Sequence, residues 1–207
     1  MNIYVKLAEF SIIETKRLLL RPFDLKDAED MFDYSGNPEN LKFVFAPHLS
    51  LSETRFSIAN DYMKSPLGKW AIELKSEHRL IGDIHFVKIS DKNQSAEIGY
   101  VLNQNYWNQG LLTEALKVLT EFSFEQFGLK KLILLIDKEN IPSKKVALKS
   151  GYHLVKKFKG TNQYSKKIRD FEQYELGKSD DEIYQKKFRD WGNLKFYVKA
   201  RRNIKLY

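Results

Sequence analysis

The 207-residue sequence contains no cysteine. That excludes disulfides, a thiolate nucleophile and cysteine-ligated zinc or iron–sulfur clusters. Glycine and proline are sparse, at ten and five residues, which excludes a collagen-like or Gly/Pro-rich chain. The glycines are also well separated, the two closest being Gly151 and Gly160. Neither a GxGxxG fingerprint nor a GxxxxGKS/T loop fits that spacing, so Rossmann dinucleotide and P-loop chemistry fall away. No segment approaches the ~18 consecutive apolar residues of a membrane span. Lys6 and Glu9 interrupt the stretch Met1–Ile13, which therefore lacks a signal-peptide core, and the expected location is the cytoplasm. The four histidines are scattered and show no HExxH spacing, so no metal is expected.

What is present points to a globular protein. Hydrophobic residues make up 43% of the chain, with 14 Phe and 11 Tyr to fill a core, and disordered chains lack such material. The length suits one domain with an appendage: a domain over 1–178, then a basic helix and tail over 179–207. Charge is unevenly placed. Residues 1–141 hold 17 Lys/Arg against 20 Asp/Glu, while 142–207 hold 18 against 7. The basic last third reads either as a surface for a polyanion (nucleic acid or a phosphorylated cofactor) or as an ordinary solvated face.

The apolar pattern predicts an opening strand over Glu14–Pro22 and a helix over Leu25–Tyr34 capped by Asp24. Ser50 to Glu53 has capping-box spacing for a helix over Leu51–Lys64. Strands are predicted at Lys69–Leu74, Leu80–Ile89 and Ser95–Leu102, forming an antiparallel meander. Leu112, Leu116, Leu119 and Phe122 recur at helical spacing after Gly110. The run Leu132–Ile136 reads as a strand buried on both faces. Asn140 and Pro142 start a helix that Gly151 ends. Two strands, Leu154–Phe158 and Lys167–Leu176, precede a charged helix from Ser179 to about Trp191, a short strand at Leu194–Val198 and a basic tail. The fold class is α/β (α+β): a mixed sheet with helices packed against it.

Chemistry concentrates around Gly110. A loop with one glycine feeding straight into an amphipathic helix leaves N–H groups exposed, and the helix dipole favours an anion there. Alone, the same glycine serves equally as turn punctuation.

The wider pattern resembles a known family. Ala96-Glu97-Ile98-Gly99-Tyr100-Val101-Leu102, followed by Tyr106-Trp107-Asn108-Gln109-Gly110-Leu111-Leu112-Thr113-Glu114-Ala115, is similar to GNAT-superfamily N-acetyltransferases, and nearest to the ribosomal-protein N-terminal (Rim-type) branch. Thr15-Lys16-Arg17-Leu18-Leu19-Leu20-Arg21-Pro22, Asn140-Ile141-Pro142-Ser143 with Ser150-Gly151-Tyr152, and Arg169-Asp170 with Tyr174 resemble the family's other motifs. The resemblance spans about Ile13–Leu176. It implies a twisted, mostly antiparallel sheet that splays between its fourth and fifth strands, here Ser95–Leu102 and Leu132–Ile136, with acetyl-CoA in the gap. It implies that the backbone of Gln109, Gly110, Leu111, Leu112 and Thr113 holds the pyrophosphate. Pantetheine amides would pair near Val101, Leu102 and Asn103, with Asn140, Ser143 and Lys145 also facing the cofactor. Two departures stand out. Trp107 replaces the usual Gln or Arg at the loop's first position, a Rim-type trait. Ala147 stands where many relatives carry a tyrosine acid, which leaves Ser143 as the donor to the leaving thiolate.

Each candidate also has an ordinary reading. Glu97 is either a general base or a polar residue on a half-solvated strand. Ser143 and Asn140 either serve the cofactor or satisfy their own helix terminus. His85 and Asp83 share a strand face; they line an acceptor pocket, with His85 as alternative base, or form a simple surface pair. Tyr106 and Trp107 are pocket walls or loop anchors. Asp24–Asp33 and Glu39 are the acids offered for the acceptor region. The resulting expectation is an acetyl-CoA-dependent N-acetyltransferase acting on a primary amine, as monomer or homodimer, with nucleic acid bound weakly and non-specifically. The alternatives are a non-catalytic CoA-binding module and a ribosome- or RNA-associated basic protein.

Overall fold

The structure, a computed structural model, describes residues 2–161 and 166–180. Beyond Asp180, the expected C-terminal helix, strand and tail lie outside the described residues. Eight strands form one sheet: β1 (Ile13–Glu14), β2 (Leu18–Arg21), β3 (Lys69–Leu74), β4 (Arg79–Ser90), β5 (Ser95–Leu102), β6 (Lys131–Asp137), β7 (His153–Thr161) and β8 (Ile168–Gly177). Their spatial order is β1-β2-β3-β4-β5-β6-β8-β7. Among the described strands, only β5 and β6 run parallel. A parallel pair needs a long crossover, and helix α5 (Leu111–Glu125) supplies it.

Helices cover both faces. On one face, Ile72, Ile84, Ile98 and Leu134 pack with Ala115, Leu116 and Leu119 of α5 and with Ile3 and Leu7 of helix α1 (Ile3–Glu9). On the other, Ala71, Leu80 and Val101 pack against Met31 and Tyr34 of α2 (Ala28–Ser35), Leu41 of α3 (Pro38–Leu41) and Ile58. Each Leu, Ile, Val or Met among them, fully buried, contributes roughly 1.5–3 kcal/mol. Alternation along β5 sends Ala96 and Ile98 to the first core and Val101 to the second, as a two-residue period requires.

Several expectations are corrected. The opening strand is broken: the Thr15 N–H donates to the Leu18 carbonyl at 2.9 Å, a turn that separates β1 from β2. The two strands that part are nevertheless the expected ones, and the broken opening strand only makes them fifth and sixth in number. Leu25–Asp27 is a 3₁₀ turn before α2. The helix starting at Leu51 is α-helical only to Ser57 (α4), and Ile58–Met63 continues it as a π-helix. Strand β6 is not buried on both faces: Leu132, Leu134 and Ile136 are buried, while Leu135 is 39% exposed. The second core ends at Val101 of β5, so it offers nothing to cover Leu135.

Candidate active site

The sheet opens beside β5. The last β5–β6 pair is Glu97 with Ile133. Beyond it, β5 continues to pair with β4 as far as Leu102, and β6 with β8 as far as Asp137. The inward backbone groups of each strand thus have no strand partner, and such groups call for one. At the far end these groups are already used. The Leu102 carbonyl accepts from Trp107 Nε1 at 2.8 Å and from Asn40 Nδ2 at 3.2 Å. The Asn103 N–H faces away from the gap, donating to the Ile81 carbonyl of β4 at 2.8 Å. The stretch with inward backbone to offer is therefore Ile98–Val101. Trp107 and Tyr106, whose hydroxyl donates to Glu77 Oε2 at 2.6 Å, act as loop anchors.

The loop before α5 lies next to this gap in sequence and leads into a helix start with no side-chain cap. Asn108 and Gly110 adopt left-handed φ values of 62° and 75°. Gly110 occupies the N-cap position and offers no side chain to the first turn. The initial N–H groups of α5, around Leu111, Leu112 and Thr113, have no intrahelical acceptor, and the dipole adds partial positive charge. The loop is fastened by a residue that sequence reasoning gave no role, Arg17. Its Nε donates to Glu114 Oε2 at 2.7 Å and its Nη1 to the Gln109 carbonyl at 2.9 Å. Glu114 Oε1 also accepts from Thr15 Oγ1 at 2.6 Å and the Arg17 N–H at 3.1 Å. A signal was available in the Thr15-Lys16-Arg17 run, but its partner lies far along the chain.

Glu97 sits where the strands part. It is half-buried, and burial raises its carboxyl above the ordinary glutamate value while nearby Lys88 opposes the shift. Across the gap, helix α6 (Ile141–Lys149) begins at Asn140, whose side chain accepts from the Ser143 N–H at 3.2 Å. Asn140 therefore does cap its helix. Lys145 lies exposed on α6. The Tyr100 hydroxyl reaches over from β5 and donates to the Ser143 carbonyl at 3.3 Å. Burial pushes this phenol up, with Ser143 opposing. Tyr100 was quoted only as part of a motif, because strand alternation alone does not show a side chain spanning a gap.

A cavity of about 250 Å³ adjoins β4 and β5 on the second core's side. Asp83, His85, Tyr62, Asp61, Phe45 and Val101 are among the residues lining it. Asp83 is 1% exposed and 2.9 Å from His85 Nδ1. The Tyr34 hydroxyl donates to its other oxygen at 3.4 Å. Burial, then Asp83, pushes the Tyr34 and Tyr62 phenols up. His85 crosses over Gly99, where a Cβ would come within 2.9 Å of Nε2. The acids expected to serve this region are mostly engaged elsewhere. Asp24 caps the 3₁₀ turn, Asp27 holds Arg21, and Asp30 and Asp33 hold Arg79. Among the described residues, no group of three or more His, Asp or Glu stands where a metal would be held.

Gap, anion loop and cavity thus converge on β5. The acetyltransferase (GNAT) domain family matches residues 17–153. The chain is a GNAT N-acetyltransferase. It is 33% identical over 139 residues to YnaD, an uncharacterized N-acetyltransferase of Bacillus subtilis, covering 67% of this chain and 81% of that one. It is 35% identical over 78 residues to the ribosomal-protein-serine acetyltransferase of Escherichia coli, covering 38% and 44% of the two chains. Among solved structures, a GNAT acetyltransferase from Bacillus anthracis superposes with a TM-score of 0.73 at 27% identity, over 81% of this chain and 99% of its own. These likenesses agree with the Rim-type resemblance. GNAT enzymes use acetyl-CoA, and the chain's uncapped helix start and parted strands fit its two anionic and amide-rich portions.

Proposed function

We propose that this GNAT enzyme transfers acetyl from acetyl-CoA to a primary amine by direct attack in a ternary complex. The observation that carries the reading is the convergence of the strand gap, the uncapped start of α5 and the cavity along one strand, β5. The cofactor supplies an activated thioester. With no cysteine in the chain, an acetyl-cysteine intermediate has no residue to form on.

The chain's own groups supply the rest. Backbone N–H groups of Gln109–Thr113 hold the pyrophosphate, and inward groups of β5 pair with the pantetheine amides. Glu97 takes a proton from the acceptor ammonium, directly or through water; its burial-raised basicity suits that task. The C–N bond then forms as the C–S bond breaks. The proton shed by nitrogen leaves with the sulfur, delivered through the Ser143 hydroxyl. Tyr100, beside Ser143, orients that turn of α6. The acceptor is a protein N-terminus or a small amine, the former in keeping with the name of the Escherichia coli relative.

Thiol release from acetyl-CoA, measured against a panel of primary amines and ribosomal N-terminal peptides, tests this. Glu97→Gln lowers kcat/KM by ~10²–10⁴, most at low pH, with partial recovery as the amine deprotonates unaided. Ser143→Ala lowers kcat without that recovery. Both variants still bind acetyl-CoA. Near-normal activity of Glu97→Gln across pH removes Glu97 as base and moves the assignment to His85.

A further inference from the structure

The cavity beside β5 has a composition that selects its occupant. Two carboxylates, Asp61 and Asp83, and two aromatic residues, Phe45 and Tyr62, line it, and among the described residues no lysine or arginine does. The nearby Lys69 ammonium donates to the Asp61 main-chain carbonyl. Asp61 and Tyr62 lie within the π-helix Ile58–Met63. That wider turn lets consecutive residues face the same space, and π-turns are frequent at functional sites. The Asp61 carboxylate accepts from Ser57 Oγ at 2.8 Å and Asn60 Nδ2 at 2.8 Å, and among the described residues it makes no ion pair. Asp83 faces His85. In the tautomer that donates Nδ1–H to Asp83, Nε2 is the bare nitrogen on the side of Gly99.

We infer that the acceptor is a compact arylalkyl or alkyl primary amine that carries no carboxylate next to its nitrogen. The inference rests on the acetyl-transfer reading above. A cation meets favourable charge and aromatic faces here. A free amino acid brings its carboxylate into a space lined by two carboxylates, beside which the Lys69 ammonium is already engaged by the Asp61 main-chain carbonyl, and an unmatched charge is how a site rejects a competitor. The volume of about 250 Å³ corresponds to roughly eight waters at about 30 Å³ each, enough for a ring and a two-carbon amine.

The test compares phenethylamine, phenylalanine and phenylalaninamide as acceptors, by thiol release. Phenethylamine is expected to exceed phenylalanine in kcat/KM by ~10²-fold, on the like-charge argument. Phenylalaninamide recovers most of that, since it keeps the size and loses the charge. Asp61→Asn is expected to shrink the amine-to-amino-acid ratio by about tenfold while the acetyl-CoA thermal shift stays as in wild type. Equal use of phenylalanine, or an unchanged ratio in Asp61→Asn, overturns the inference and leaves acetyl transfer standing. So does an acetyl-CoA thermal shift with no thiol release from any of the three. Absence of an acetyl-CoA shift instead overturns the acetyltransfer reading itself.

Discussion

Substitution at Gly110 separates stability from cofactor binding. Its φ of 75° lies in the left-handed region, and a Cβ there would meet only Arg17 Nη2, at 3.7 Å. Packing therefore does not block a side chain. The cost of alanine is the backbone conformation, about 1–2 kcal/mol. In a chain of this size that lowers the melting temperature by roughly 2–8 °C. Aspartate tolerates left-handed backbone better than most residues, so Gly110→Asp folds at least as well as Gly110→Ala. Its carboxylate, however, stands at the start of α5 and draws on Arg17 Nη2. Two like unit charges about 5 Å apart at an effective dielectric near 20 repel by about 3 kcal/mol, which is about two orders of magnitude in affinity. Melting with and without acetyl-CoA, together with titration calorimetry, reads both effects. Gly110→Ala is expected to keep most of the ligand-induced shift, and Gly110→Asp to lose it. A Gly110→Asp protein that binds acetyl-CoA within about threefold of wild type refutes the anion-site assignment.

Two further outcomes are expected. Because the folded-state carboxyl of Glu97 is raised, the native state holds the proton more tightly than the unfolded chain. Stability from this group is therefore full below the ordinary glutamate pKa and is lost as pH rises through the raised folded value. Glu97→Gln should then melt like wild type in acid and above it at neutral pH, and a pH series of melting curves checks the sign. Glu114→Gln weakens the hold on Arg17 and so on the Gln109 carbonyl. It should raise KM for acetyl-CoA roughly tenfold, not more because the Arg17 side is solvent-screened, with kcat nearly unchanged in steady-state assays.

Much of the scaffold is legible from local signals. The strands at Lys69–Leu74 and Ser95–Leu102 match their predicted limits. Asn140 and Pro142 mark the start of α6, and Gly110 marks the start of α5, as capping chemistry demands. What escaped was set by tertiary contact. Helix α1 is short, and its register is fixed by Ile3 and Leu7 meeting the core. The unbroken run Leu132–Ile136 does not say which face will be covered; only the extent of the second core decides that Leu135 stays exposed. For the candidate site, the loop and strand motifs were readable by resemblance. The Arg17–Glu114 bridge, the reach of Tyr100 to Ser143 and the turning of Asp61 and Tyr62 into the cavity were not. Each depends on residues far apart in sequence or on a helix winding that composition does not encode.

The parting of β5 and β6 makes an edge inside the sheet. Exposed edges are templates for pairing with another chain, and proteins guard them with charge, proline or a covering element. Here the two facing edges belong to the same molecule, a few residues from where they are joined at Glu97 and Ile133. An inner edge of this kind has a use that an outer edge lacks: an amide-bearing ligand lying between the two strands takes up their N–H and C=O groups as a neighbouring strand would. On the acetyl-transfer reading proposed above, that ligand is the pantetheine arm of the cofactor. The parted strands thus keep strand-like hydrogen-bonding capacity on an edge that lies inside the sheet instead of at its rim.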